Sequence, residues 1–162
     1  MSRAREFADL AGSADAGGIT GRNLMINGAM LVAQRGTSST SSGAHTLDRF
    51  FNSFATVAVT QSQDTTVPSG EGFTKSFKQE FTTASSSAAA YYSVYTTLEG
   101  QDLINSGWDY TSPSSFITIS FYIKSSVAGT YTCSFRTAAG TVKAFSFQYT
   151  LAADTWTRVT KS

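Results

Sequence analysis

From Phe116 to Lys124 the chain reads with a period of two. Ile117, Ile119, Phe121 and Ile123 fall on one side, and Thr118, Ser120 and Lys124 on the other. A period of two is the signature of a strand with one buried face. The pattern recurs downstream. Ser125 to Gly129 reads as a turn into Thr130–Thr137, where Tyr131, Cys133 and Phe135 share a face. Ala138-Ala139-Gly140 reads as a second turn into Val142–Leu151, which aligns Phe145, Phe147, Tyr149 and Leu151. Three strands at this spacing, joined by Gly-containing turns, predict an antiparallel meander.

Upstream, Phe50–Gln61, Phe73–Thr83 and Ala89–Thr97 read as three further strands. Phe73, Phe77 and Phe81 also fit a helical spacing, but the β-branched Thr74, Thr82 and Thr83 favour strand. Gly36–His45 and Ser62–Gly72, the latter holding Pro68, are expected to be exposed loops. A single helical turn fits the segment from Glu99 to Trp108. Few helices and many short strands give an all-β expectation: an antiparallel β-sandwich, jelly-roll-like rather than immunoglobulin-like because the Cys…Trp…Cys spacing is missing.

Residues 1–22 differ from the rest. Ala, Gly and Asp dominate there, with Phe7, Leu10 and Ile19 as the large apolar side chains. Phe7 to Leu10 can close a turn or two of helix, and Gly12, Gly17, Gly18 and Gly21 stop it. The segment is either a flexible tail or an extended, partly helical arm that orders against another chain. The expected organisation is thus an arm, 1–22, and a sandwich domain, 23–162. The last segment, Thr155–Ser162, reads as a strand just begun, so the sandwich is expected to be incomplete at its C-terminal end or completed by another chain.

Composition decides which chemistry is open. The chain has 162 residues, 14% of them charged and with a net charge of +1, while 24 Ser and 23 Thr supply uncharged polarity. Near-zero net charge removes the general electrostatic case for nucleic acid or an anionic membrane. One Cys and one His allow neither an internal disulfide nor a zinc site of Cys and His ligands. Cys133 reads as a small buried hydrophobe. No run reaches the roughly 18 apolar residues of a membrane span, and the start has no charged-then-apolar leader, so synthesis and assembly in a cytoplasm are expected.

Catalytic groups are scarce. His45 lies in a Ser/Gly-rich stretch with no Gly-x-Ser-x-Gly elbow, and is expected to be a solvated loop residue. Glu99 and Asp102 are close in sequence but read as surface carboxylates. No enzyme, cofactor or metal is expected. Binding is the more natural activity: Asn105, Trp108, Asp109 and Tyr110 combine rings with hydroxyl-gripping groups, the set a sugar requires. Trp108 fits a plug at one end of the sandwich better than a sugar platform, and Tyr91, Tyr92 and Tyr95 are open to the same two readings.

The stretch Asn23-Leu24-Met25-Ile26-Asn27-Gly28-Ala29-Met30-Leu31-Val32-Ala33-Gln34-Arg35-Gly36-Thr37 resembles a recurring opening of tailed-bacteriophage virion proteins, chiefly tail fibres and other appendages. The resemblance continues at Leu47-Asp48-Arg49-Phe50, Leu98-Glu99-Gly100-Gln101, Thr118 to Ser126, Gly129-Thr130-Tyr131 and Trp156-Thr157-Arg158-Val159. Phe50 and Tyr122 depart from it, standing where such proteins often carry Trp. The resemblance implies a homotrimeric virion structural protein, assembled in the host bacterial cytoplasm. It would dock on tail, portal or capsid proteins through Phe7, Leu10 and Ile19 and support host attachment. A capsid-decorating or head-fibre protein is the alternative, and a module contacting host surface glycan is a third. It also implies that Asn27-Gly28 turns the chain, that Met30 and Val32 point inward from a following strand, and that Asp48 pairs with Arg49.

Overall fold

The computed structural model describes residues 23–109, 111–137 and 140–162, and the chain divides between Asp109 and Tyr110 into two compact units. Phe7, Leu10 and Ile19, the expected docking residues, lie outside the described residues. Within them the protein is built of short antiparallel strands and one helix, as the alternating pattern predicts.

The first unit holds β1 (Ser38–Ser39), β2 (Phe50–Ala55), β3 (Ala58–Asp64), β4 (Ser76–Thr83), β5 (Tyr91–Thr96) and α1 (Gly100–Asn105). Its strands form two sheets, β1-β3-β4 and β2-β5. Phe50–Gln61, expected as one strand, is two. Thr56 takes a φ of +60, a left-handed conformation that β-branched residues rarely adopt, and there the chain leaves one sheet for the other. A register shift between Ala58 and Val59 completes the corner.

Pairing puts Val59, Gln61 and Gln63 opposite Phe81, Gln79 and Phe77, while Phe50, Asn52 and Phe54 lie opposite Thr96, Val94 and Tyr92. Rings and amides from these two sets meet. Phe50 and Phe77 touch edge to face at 6.1 Å, and Phe81 and Tyr92 at 4.7 Å. Between the ring pairs lies a polar layer. Buried Gln61 accepts a hydrogen bond from Thr46 Oγ1 (2.9 Å) and donates to Asn52 Oδ1 (3.1 Å) and to the Ser41 carbonyl (2.7 Å). Asn52 Oδ1 also accepts the Gly43 N–H (2.9 Å). Leu47, Phe50 and Val59 pack as the buried apolar core of this unit, each contributing on the order of 1.5–3 kcal/mol.

The two expected loops are only partly so. Gly36–His45 is largely exposed, as expected, but it is held: β1 pairs with β3, Gly43 bridges Asn52, and Gln61 holds the Ser41 and Gly43 carbonyls. In Ser62–Gly72, β3 continues to Asp64 and Pro68 is buried. Both segments have backbone polar groups that the amide network and β3 satisfy, a role composition does not reveal.

The second unit holds β6 (Ile119–Ile123), β7 (Gly129–Arg136), β8 (Ala144–Leu151) and β9 (Thr157–Lys161). The expected meander is not formed. β7 pairs with β8 as a hairpin, but β6 pairs with β9. The turn after β6 diverts the chain: the Tyr131 hydroxyl lies 2.7 Å from Ser125 Oγ and donates to the Val127 carbonyl, and Ser125 bridges Ala153 instead of continuing a ladder. Phe121 of β6 packs on Tyr149 of β8 at 5.7 Å, with Leu151 and Val159 buried. Cys133 is half-buried opposite Phe147, and burial pushes its thiol above its ordinary value, which makes it a poor nucleophile.

Two outcomes are expected. Gln61→Ala strands the Thr46 hydroxyl, the Asn52 amide and two carbonyls, and should lower unfolding free energy by about 3 kcal/mol in urea titration. The Tyr92 hydroxyl is buried without a partner among the described residues, and burial raises its pKa above the ordinary 10.0. The neutral phenol is thus the folded form, and its contribution is complete below pH 10 and lost as pH rises further. Tyr92→Phe should flatten that alkaline loss of stability at no cost near pH 7, as measured by thermal melts from pH 7 to 11.

Candidate functional site

The outer face of the β2-β5 sheet has the opposite parity to the face just described. Phe51, Ser53 and Ala55 lie opposite Tyr95, Ser93 and Tyr91. Phe51 and Tyr95 stack at 5.3 Å with an interplanar angle of 12°, and Tyr91 meets Ser53 Oγ through its hydroxyl at 3.1 Å. Tyr91 and Tyr95 are about half exposed. At the Phe51 end of this strip lies a cleft of about 200 Å³ lined by Arg35, Arg49, Phe51 and Thr97.

Local hydrogen bonds position the two arginines. Asn27, at φ +58, clasps the motif segment to the start of β2: its amide donates to the Val32 and Asp48 carbonyls and accepts the Val32 N–H, all within 3.0 Å. Asn tolerates this backbone better than other side-chain-bearing residues because its short amide bonds locally. Asp48 Oδ1 accepts the Gln34 N–H, and Arg35 Nη1 donates to the Ala44 carbonyl.

Arg49 does not pair with Asp48. It sits at φ +73, bonds Glu99 Oε1 at 2.7 Å and the Thr97 carbonyl at 3.4 Å, and its own carbonyl accepts Thr96 Oγ1. The left-handed turn at Arg49 swings its side chain towards the end of β5, leaving Asp48 to the backbone. Asn27-Gly28 does turn the chain, with Met30 N–H donating to the Asn27 carbonyl. Met30 and Val32 lie in no strand, and Val32 is 44% exposed rather than inward. With its partners taken from backbone clasps, this segment is a coil.

The expected sugar-contact loop is only partly described. Trp108 is half-buried and Asp109 exposed, at the end of the first unit; Asn105 ends α1, and its side chain and Tyr110 lie outside the described residues. Ser106 Oγ donates to the Leu103 carbonyl and accepts the Trp108 N–H, and Gly107 takes φ +74, so the loop is a helix C-cap. His45 is exposed, with Nε2 3.1 Å from the Ser42 carbonyl. Among the described residues no three His, Cys, Asp or Glu side chains converge on a metal-sized site.

Sequence reading singled out Tyr91 and Tyr95 but not the cleft beside them. The available signal was parity: Phe51 and Tyr95 fall on the strand faces opposite Asn52 and Val94. Nothing in the spacing brings Arg35 to Arg49.

Removing Asn27 loses three bonds to backbone and the αL preference together, so Asn27→Ala should cost about 2 kcal/mol. The Arg49–Glu99 pair is 34% and 45% exposed, so Glu99→Gln should cost less than about 1 kcal/mol. Urea titrations of the two variants check this ordering. Comparison with protein-family models, curated proteins and solved structures finds nothing that matches this chain.

Proposed function

We propose that the chain is a non-enzymatic structural subunit of a tailed-bacteriophage virion: the virion-proximal part of a tail fibre, trimeric, docking through an N-terminal arm anchored by Phe7, Leu10 and Ile19. In its finer form the proposed fold is a jelly-roll-type β-sandwich whose open strands are covered by neighbouring subunits.

The observation that carries the assembly role is the exposure of large apolar side chains. Phe81 is 53% exposed on β4, Phe145 55% on β8 and Phe116 72% ahead of β6, whereas five apolar residues are buried among those described. Apolar surface of this extent on a low-charge chain favours association, because each ring covered by a second copy leaves water. Uncharged Ser and Thr around those rings let identical faces meet without like-charge repulsion. The assignment to phage appendages rests on the resemblance of Asn23–Thr37 and the segments that follow it.

Purified full chain should sediment as a trimer, and Phe145→Ser should shift it towards monomer. Antibodies to the chain should decorate the tails of particles from a phage that encodes it, and deletion of residues 1–22 should yield particles without it. A monomer at every concentration together with unlabelled particles would overturn the reading; labelling on the capsid would replace the tail assignment by a head-decorating one.

A further inference from the structure

The cleft at the end of the outer aromatic strip has a chemistry that subunit assembly does not require. Arg35 and Arg49, from segments fourteen residues apart, line it together with the Phe51 ring and Thr97. Both guanidiniums are held in place. Arg49 is fixed by Glu99 Oε1 and the Thr97 carbonyl, Arg35 by the Ala44 carbonyl, and each keeps N–H groups beyond those bonds. The backbone at Arg49 is in the left-handed region, a conformation that costs free energy and persists here because Thr96 Oγ1 and the β2-β5 ladder hold it.

We propose that this cleft binds the carboxylate of a hexuronic-acid residue in an acidic polysaccharide. Of the two lining guanidiniums, Arg49 is paired with the Glu99 carboxylate while Arg35 has no carboxylate at ion-pair distance among the described residues, a balance of one positive charge that matches a monocarboxylate better than a phosphate dianion. A planar carboxylate suits the fork of donors on arginine. The Phe51 ring, with Tyr95 stacked on one face, supplies the apolar surface that a pyranose face covers, and the Thr97 hydroxyl can exchange hydrogen bonds with sugar hydroxyls. The volume, about 200 Å³, is below the usual range for a drug-sized ligand and suits one ring of a chain that continues along the Tyr95 and Tyr91 strip. The site lies apart from the Trp108 loop in sequence and does not depend on the virion assignment.

The test is a titration of isotope-labelled full chain followed by amide and arginine Nε–H resonances. The probes are methyl β-glucuronide, methyl β-glucoside, acetate and inorganic phosphate. Methyl β-glucuronide is expected to shift Arg35, Arg49 and Phe51, and to bind at least tenfold more tightly than the neutral glucoside or acetate. Arg35→Gln, an exposed change that leaves the fold intact, should weaken it at least tenfold, whereas Trp108→Ala should leave it unchanged. Binding of acetate or phosphate as tight as the glucuronide, equal binding of the glucoside, or no shift at these residues would each overturn the proposal.

Discussion

Gln61 sits fully buried in the first unit, and its side-chain amide touches two separate pieces of chain: the 41–46 segment, through the Thr46 hydroxyl and the Ser41 and Gly43 carbonyls, and the other sheet, through the Asn52 amide. A buried amide left unpaired costs more than the paired one gains, so each partner is obliged to stay where Gln61 needs it. That obligation holds a Ser/Gly-rich segment against β3 and ties Asn52 of β2 to β3, in a unit whose buried large apolar side chains among the described residues are Leu47, Phe50 and Val59. Ring pairs on either side of the amides, Phe50 with Phe77 and Phe81 with Tyr92, add the non-directional part of the cohesion.

The same constraint sets what the opposite face can do. Because side chains alternate along β2, committing Asn52 inward commits Phe51 and Ser53 outward, beside Tyr95 and Tyr91 of β5. The stacked rings, the arginines held at the strand end and the half-exposed tyrosines are then a surface set on a rigid ladder. The second unit repeats the logic with rings in place of amides. Tyr131, Cys133 and Phe135 face Tyr149, Phe147 and Phe145, and exposure grows along the hairpin towards Phe145.

How much of this was legible in the chain depended on the range of the interaction. Strand identity was legible wherever a period of two persisted: β8 lies within its expected segment, β7 begins one residue earlier than expected, at Gly129, and β4 is a strand despite the helical spacing of its phenylalanines, which also share a face in a strand. The corner at Thr56 was not, since a threonine with positive φ breaks a local preference for the sake of two sheets. Nor was the pairing of β6 with β9, which depends on contacts between residues more than thirty positions apart. At the candidate site, Asp48 and Arg49 looked like neighbours that would pair. Asn27 and Gln34 claim the Asp48 groups and Glu99 claims Arg49, through bonds that cross as many as 50 positions.

The central claim is that Asn52 and Gln61 act as one unit that joins the sheets. A double-mutant cycle with Asn52→Ala, Gln61→Ala and the double variant, measured by urea unfolding, tests it most directly. The double variant should be less destabilised than the sum of the single ones, with a coupling of about 1–2 kcal/mol. Additive losses, with coupling near zero, would contradict it.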